Sequence, residues 1–537
     1  MTDIKLLDCT LRDGGYVNDW EFGHDNIINI FERLVSAKVE IIEVGFLNDS
    51  REFDINRTIM PDTASVDKIF SGLDKGNSIV VGMIDYGTCA IENLAPQSEG
   101  FLDGIRVIFK KQVMVPALAY CAKVKKLGYQ VFAQAVSITS YSDDEMLQLL
   151  AMVNELEPFA FSLVDTYGLL HKNKLIHYYS MSHEYLKPSI GLGYHSHNNF
   201  QLAYANCVEL ISDAPEDRIL LIDGTLHGMG KGAGNAPIEL LAMYMNDNSA
   251  KNYHIGQMLE AIDLTILEAY KKSSWGYSLK YFIAASNDCH PNYVTYLMDK
   301  KTLSIKSINE ILEVITEEKK LMYDKAYIEH LYLDYQKKED SNDFEDLKLL
   351  KTILHGNKVL LLGSGNSVVS ERKIIQDYIT ENSPIVIAVN YLPDYPVDFI
   401  FISNSRRYVQ LSSRIKKLDN RTKLIATSNV TKTNGKFDYT LEYSALLDEK
   451  AEFADNPMIM LIKVLDMCET AEIVLAGFDG YSTGNTSDYV NPEMEYSFSK
   501  VKAIEINNDA IASLNRLTIK VPKHFLTKSY YTVAEKE

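Results

Sequence analysis

Eight short apolar runs, alternating with longer amphipathic stretches, fill the first 230 residues of this chain, and they restrict its fold more than any other feature. The runs are "IKLLDCT" (4–10), "IIEVGF" (41–46), "SIVVGMID" (78–85), "GIRVIF" (104–109), "QVFAQAV" (130–136), "FAFSLVD" (159–165), "IGLGYHSH" (190–197) and "RILLIDGT" (218–225). Each is rich in β-branched or aromatic residues. Most follow a helix-like segment such as "DNIINIFERLVSAK" or "YSDDEMLQLLAMVNEL". Near-continuous apolar strands between helices belong to a parallel sheet covered on both faces. Eight such units predict a closed (β/α)8 TIM barrel over 1–250, with an open doubly wound sheet as the alternative.

Residues 251–335 carry apolar residues at helical spacing and predict a helical extension of the barrel. The charged stretch "QKKEDSNDFEDLK" (336–348) opens a linker over 336–356. The pattern then restarts. "KVLLLGSGNSV", "PIVIAVN", "VDFIFIS", "TKLIAT" and "AEIVLAGFD" predict a Rossmann-like α/β domain over 357–537.

Charge and composition limit the function classes. The 537 residues carry a net charge of −19, a field that does not attract phosphate backbones, so nucleic acid is not expected as a partner. No stretch is apolar for the length a membrane span needs, and the N-terminus has no signal-like core. The six cysteines are scattered without a CxxC pair, which fits reduced thiols and a cytoplasmic protein. A homo-oligomer is expected.

In a (β/α)8 barrel the chemistry sits at the C-terminal ends of the strands. Run 1 ends in "DCTLRDGG", with Asp8, Thr10, Arg12 and Asp13; run 2 contains Glu43; run 6 ends in Asp165 and Thr166. Run 7 ends in His195 and His197, which an i, i+2 spacing turns to one side of a strand. Run 8 leads into "DGTLHGMGKGAGN", with Asp223, His227 and Asn235. One carboxylate and two imidazoles from neighbouring strands form a facial ligand set that leaves positions open for substrate oxygens. Such a set suits Mg²⁺ or Mn²⁺, with Zn²⁺ less firmly excluded. Arg12 can hold a carboxylate or an oxyanion, and Glu43 can orient it. Several residues also have plainer roles. Asp8 can satisfy backbone groups at the strand end, Cys9 can be a small core residue, and Asp223 can orient its loop or touch substrate. A Schiff-base aldolase would need a buried strand-end lysine. Only Lys110 and Lys111 are placed for it, and adjacent lysines mark a solvated loop.

"DCTLRDGG", "EVGF" and "HSHNN" together resemble the DRE-TIM metallolyases, a family of metal-dependent (β/α)8 enzymes. It includes 4-hydroxy-2-oxoacid aldolases, 3-hydroxy-3-methylglutaryl-CoA lyase, and isopropylmalate and homocitrate synthases. The resemblance covers roughly residues 1–300. It implies Asp13, His195 and His197 as metal ligands, with Asn235 approaching the metal as in the lyase branch. It implies that Arg12 stabilises an enolate, that Glu43 pairs with Arg12, and that Thr166 contacts the substrate carboxylate. The condensing members resemble "RDGEQ", where this chain has Gly14-Gly15-Tyr16, and the CoA lyase's loop cysteine has no counterpart in "HGMGKGAGN". The aldolases resemble "RDGMH"; Tyr16 stands where their histidine would be, so Tyr16 and then His227 are the candidates for proton transfer. The expected function is a metal-dependent aldolase acting beside a 2-oxo acid such as pyruvate, with an aldehyde or sugar as the other substrate. The alternatives are an acyl-CoA lyase or synthase on the same barrel, and a non-catalytic metal- and sugar-binding protein.

The second domain is similar, in order and shape of its elements, to the nucleotide-binding core of bacterial sialyltransferases and related flagellin-glycosylation proteins. The resemblance implies a nucleotide-sugar or sugar ligand, with Gly363, Gly365, Asn366, Ser367, Asn390 and Asp479 as candidate contacts, and a place in surface-polysaccharide synthesis. "TSDYVNPEMEYSFSK" (486–500) offers no histidine as a transferase base. A scaffold without a ligand is the plainer reading of this domain.

Overall fold

The computed structural model describes all residues except 1–2, 301–302, 337–342, 419–420, 432–434, 449, 485–486, 496–501 and 536–537. The expected linker therefore lies partly, and the tail at 486–500 partly, outside the described residues. The chain divides into two compact units. The first is Met1–Val294 with Lys320–Met322; the second is Thr295–Lys319 with Tyr323–Glu537.

In the first unit eight parallel strands close on themselves. They are β1 (Ile4–Asp8), β2 (Ile41–Leu47), β3 (Ile79–Asp85), β4 (Gly104–Phe109), β5 (Gln130–Ala135), β6 (Ala160–Asp165), β7 (Gly191–Ser196) and β8 (Leu220–Gly224). Each pairs with its neighbour in sequence, and β1 pairs with both β2 and β8, which closes the barrel. A two-residue strand, Ile59–Met60, adds to the edge of β2. The unit is a (β/α)8 barrel with one departure: β3 reaches β4 through two short 3-10 turns, Ile91–Asn93 and Gln97–Glu99, with no α-helix between. The outer helices form for ordinary reasons. His24–Ser36 buries Ile27, Ile30, Phe31 and Leu34, one stripe at 3–4-residue spacing. Asp143–Leu156 starts in a capping box, in which Ser142 and Glu145 satisfy each other's backbone N–H groups.

The barrel interior is layered. Leu7, Ile41, Val81, Phe132, Ala160 and Leu221 belong to one buried apolar cluster. Two residues further along each strand the same face carries Cys9, Glu43, Met83, Gln134, Ser162 and Asp223. Strand period two thus sets a mostly polar layer on an apolar one, nearer the C-terminal ends.

The second unit has a seven-stranded parallel sheet. Its strands are β9 (Lys358–Leu362), β10 (Ile385–Val389), β11 (Phe399–Ile402), β12 (Lys423–Thr427), β13 (Tyr439–Leu441), β14 (Glu472–Ala476) and β15 (Lys523–Phe525). The order is β13-β12-β11-β10-β9-β14-β15, so the direction of winding reverses between β9 and β14. The sequence runs had shown five of these strands; β13 and β15 are three residues each, too short to leave a periodic pattern. No described helix is long and apolar enough to cross a membrane.

Candidate metal centre and the charged ring beneath it

Asp13 lies in a single buried turn, Thr10–Asp13, that follows β1 directly. Asp8 fixes the start of this turn: its carboxylate accepts from the Thr10 backbone N–H at 2.9 Å and from Thr10 Oγ1 at 2.8 Å. Trp20 closes the turn from outside. Its Nε1 donates to the Arg12 carbonyl at 2.8 Å, and its ring sits where any Cβ on Gly15 would be, which explains the second glycine of "RDGG".

His195 Nε2 stands 3.4 Å and His197 Nε2 3.9 Å from Asp13 Oδ2. Ligand atoms of the three side chains lie within 4.8 Å of one another, and all three side chains are buried. The Asn235 amide is buried with neither polar atom partnered, and it neighbours Asp13: a Cβ on Gly230 would meet both. One carboxylate, two imidazoles and an amide left without partners fit a divalent cation. A second grouping, Cys9, His195 and Asp223, meets the same spacing. Its carboxylate oxygen is already taken by Arg106, and the Cys9 thiol, pushed up by burial, donates to the Gly224 carbonyl.

Asp13 and His195 also belong to a closed ring of six buried ionisable groups. Arg12 Nη1 donates to Asp13, and Arg12 Nε donates to Glu43 Oε2 at 2.7 Å. The same Glu43 oxygen forms an ion pair with Arg106 Nη1 at 3.0 Å. Arg106 Nη2 donates to Asp223 Oδ2, and Asp223 Oδ2 bonds His195 Nδ1 at 2.9 Å. His195 Nε2 then faces Asp13, which closes the ring. Its charges set the protonation of the site. Burial would raise the Asp13 carboxyl, but Arg12 and the two histidines hold it well below the usual range. Burial opposes charge on both imidazoles. At His195 the bonds to Asp13 and Asp223 outweigh it and raise the pKa, whereas His197 is drawn down to about 4.

The other expected residues divide. Thr166 Oγ1 accepts from the Ser137 N–H at 2.7 Å. Asp165, pushed up to about 6 by burial, accepts the N–H groups of Leu169 and Leu170. Tyr16 is part exposed, its ring 4.8 Å from Trp20; desolvation raises its phenol to about 12 against the pull of Arg12. The His227 ring packs 5.5 Å from Tyr270 and 6.0 Å from Trp275, with no described contact to Arg12 or Asp13. Arg106 was absent from the sequence reading. Its signal was an arginine at an inward position inside the apolar run "GIRVIF".

In the second unit a cavity of about 210 Å³ opens where the winding reverses, and Gly363, Gly365, Asn390 and Asp479 line it. Asn366 and Ser367 are engaged otherwise. Asn366 Nδ2 donates to the Ser487 carbonyl, and Ser367 gives both its N–H and its hydroxyl to Asp479.

A closed parallel barrel with a carboxylate–imidazole group at its C-terminal rim defines a (β/α)8 barrel with a candidate metal centre. Residues 3–268 match the HMGL-like family model. The barrel is similar to 4-hydroxy-2-oxovalerate aldolase of Geobacillus thermodenitrificans, 23% identical over 276 residues that cover 50% of this chain and 77% of the relative. Oxaloacetate decarboxylase of Mycobacterium tuberculosis is 25% identical over 242 residues, covering 44% of this chain and 68% of the relative. Among solved structures, HMG-CoA lyase of Bacillus subtilis covers 51% of this chain and 94% of its own at 15% identity, with a TM-score of 0.40.

Proposed function

We propose that the barrel is a divalent-metal-dependent aldolase that makes or breaks a carbon–carbon bond beside the carbonyl of a 2-oxo acid, with pyruvate as the simplest donor. The observation that carries this reading is the placement of Arg12 against the Asp13–His195–His197 group. Two of its nitrogens are fixed, by Glu43 and Asp13, while Nη2 makes no hydrogen bond among the described residues. Asp13, His195 and His197 would hold the ion, with Asn235 beside them, and Mg²⁺ or Mn²⁺ there would act as a Lewis acid on the 2-oxo acid. Arg12 Nη2 donates to the oxygen that becomes negative as the enolate forms. Glu43 keeps that guanidinium from turning. In the addition direction Tyr16, protonated at neutral pH, gives its proton to the new hydroxyl oxygen and is left as the phenolate, and cleavage runs through that phenolate, which takes the proton back. His227 is the alternative proton carrier; its packing against Tyr270 and Trp275 makes it the weaker one.

Pyruvate in deuterium oxide tests this without knowledge of the acceptor. Metal-dependent exchange of the methyl protons is the expected result, reduced about 10²–10³-fold in Arg12→Ala by analogy with loss of an oxyanion donor. Exchange with acetyl-CoA and none with pyruvate would favour the acyl-CoA reading. Metal binding without either exchange would leave the non-catalytic one.

For the second unit we propose a sugar or nucleotide-sugar ligand in the cavity between the ends of β9 and β14, which would place the chain in surface-polysaccharide synthesis. The support is position: open parallel sheets bind ligands where the winding reverses. A thermal shift with CMP or a sugar acid, lost in Asp479→Ala, is the expected result; no shift with either counts against it.

A further inference from the structure

The chain as a whole is acidic, yet lysines from three separate elements act on common neighbours beside the candidate metal centre, where Lys231 meets Asp13. Lys110 follows the end of β4, Lys231 lies in the glycine-rich loop after β8, and Lys280 is in the helix Leu279–Ser286. Lys231 ties the group to the site. Its backbone N–H donates to Asp13 Oδ1 at 2.9 Å, and its ammonium lies 5.2 Å from the centre of the Tyr16 ring. Lys280 sits 5.1 Å from the Tyr281 ring, and that ring lies beside Gly232, the residue after Lys231. His290 experiences the field of all three lysines.

Some lysines elsewhere on the barrel pair with carboxylates, Lys75 with Asp103 at 2.8 Å and Lys111 with Glu145 at 3.0 Å among them, and others such as Lys125 bond backbone carbonyls. Lys110 and Lys231 have no carboxylate within 4 Å among the described residues. Asp85, at the end of β3, feels both charges but is paired with neither. Burial works most against the charge on Lys231, Asp13 and Asp85 favour it, and Lys110 opposes it. Two cations held near each other with no carboxylate in ion-pair contact repel, and an anionic group bound between them lowers that repulsion.

We propose that the aldehyde taken up by the barrel carries an anionic group, a phosphate or a carboxylate, and that Lys110 and Lys231, with Lys280 behind them, hold that group at the mouth. This rests on the aldolase reading and names its acceptor class. In the addition step the enolate carbon bonds to the aldehyde carbon. The carbonyl π pair moves to the aldehyde oxygen and takes a proton there, and the anionic group is unchanged. Its role is binding and orientation.

The test uses the full chain with Mn²⁺ and pyruvate and compares matched acceptors: glyceraldehyde 3-phosphate against glyceraldehyde, and succinic semialdehyde against butanal. Pyruvate methyl exchange is recorded on the same samples. The expected result is exchange together with a kcat/KM preference for the charged member of at least one pair, and that pair identifies phosphate or carboxylate. The preference should fall about 10–100-fold in Lys231→Met and in Lys110→Met, mainly through KM, and return in Lys231→Arg, as for loss and repair of a charge-assisted bond. Exchange with equal rates inside both pairs, or a preference untouched by either Met variant, overturns this proposal and leaves the aldolase reading standing. Absence of exchange overturns the aldolase reading itself.

Discussion

Asp223 holds His195 from the side away from Asp13: its Oδ2 lies 2.9 Å from His195 Nδ1, while His195 Nε2 faces the candidate metal centre. A carboxylate behind a ligating imidazole fixes the tautomer and the ring angle and makes the free nitrogen more basic. Asp223→Asn keeps the shape and loses the charge. Its affinity for Mn²⁺, measured by calorimetry, should fall about 10–100-fold. An unchanged affinity would show that His195 is not a ligand or that the Asp223 charge does not support it.

Glu43 Oε2 serves two guanidinium groups, Arg12 at 2.7 Å and Arg106 at 3.0 Å, and all three side chains are buried. Removing Arg106 would leave Glu43 and Asp223 as buried carboxylates with too little positive charge between them. Arg106→Met should therefore destabilise the barrel by about 3–5 kcal/mol in denaturant unfolding. Arg106→Lys should recover only part of this, because one ammonium cannot match the two-ended reach of a guanidinium. Equal stability of the Met variant and the parent would count against the ring as a structural unit.

Those two arginines show what was legible in the sequence and what was not. Arg12 stands at a strand end among other polar residues, where strand-end chemistry is looked for. Arg106 sits inside a strand whose other residues are apolar, and only the three-dimensional closure of the barrel turns it toward Glu43 and Asp223. The eight barrel strands were readable because each is buried on both faces and so forms a continuous apolar run. The missing helix between β3 and β4 was not readable, since periodicity marks where a helix can form and "GTCAIENLAPQSEG" carries too few residues to decide. The spacing of His195 and His197 left a polar turn and a ligand pair equally open, and it took Asp13 at the end of the first run and the barrel's closure to bring the three together. Asp223 was read as a loop or substrate residue, and its place behind His195 needed the register of β7 against β8.

Gly230 makes room for the site. A Cβ there would fall 2.3 Å from Asn235 Nδ2 and 2.8 Å from Asp13 Oδ1, closer than atoms can approach. Gly230→Ala should displace both side chains while the barrel keeps its circular dichroism spectrum. Mn²⁺ affinity should fall by about 10-fold or more, the size expected when the surroundings of a ligand are disturbed. Full affinity in the variant would mean that neither Asp13 nor Asn235 contributes to the site.

His195→Ala and His197→Ala should each remove Mn²⁺ binding and pyruvate exchange, because a centre with one carboxylate and one imidazole holds a divalent ion poorly. The two differ in pH behaviour. His197, drawn down to about 4 by burial, is already neutral at pH 7, whereas His195 is raised and must give up its proton before it can ligate. Calorimetry in buffers of different ionisation enthalpy should show proton release on Mn²⁺ binding near neutral pH, and affinity that falls as the pH is lowered. Affinity independent of pH between 6 and 8 would remove His195 as the proton-linked ligand.

Asp8 gives a prediction about stability. Its carboxyl is fully buried, and burial pushes it up from 3.8 to about 7 even though Thr10 donates two hydrogen bonds to it. The folded chain therefore binds this proton more tightly than the unfolded chain does. Its contribution to stability is complete below about pH 4 and is lost as the pH rises toward 7. The full span is worth roughly 4 kcal/mol as an upper figure. Asp8→Asn cannot titrate, so its stability relative to the parent should climb between pH 4 and 7 and then level off. Other buried acids, Asp165 among them, titrate alike in both proteins and cancel in the difference. Urea unfolding of the two proteins across that range measures it; a difference that stays flat would mean that the folded protein already carries Asp8 as a carboxylate, stabilised by Thr10 more strongly than burial opposes it.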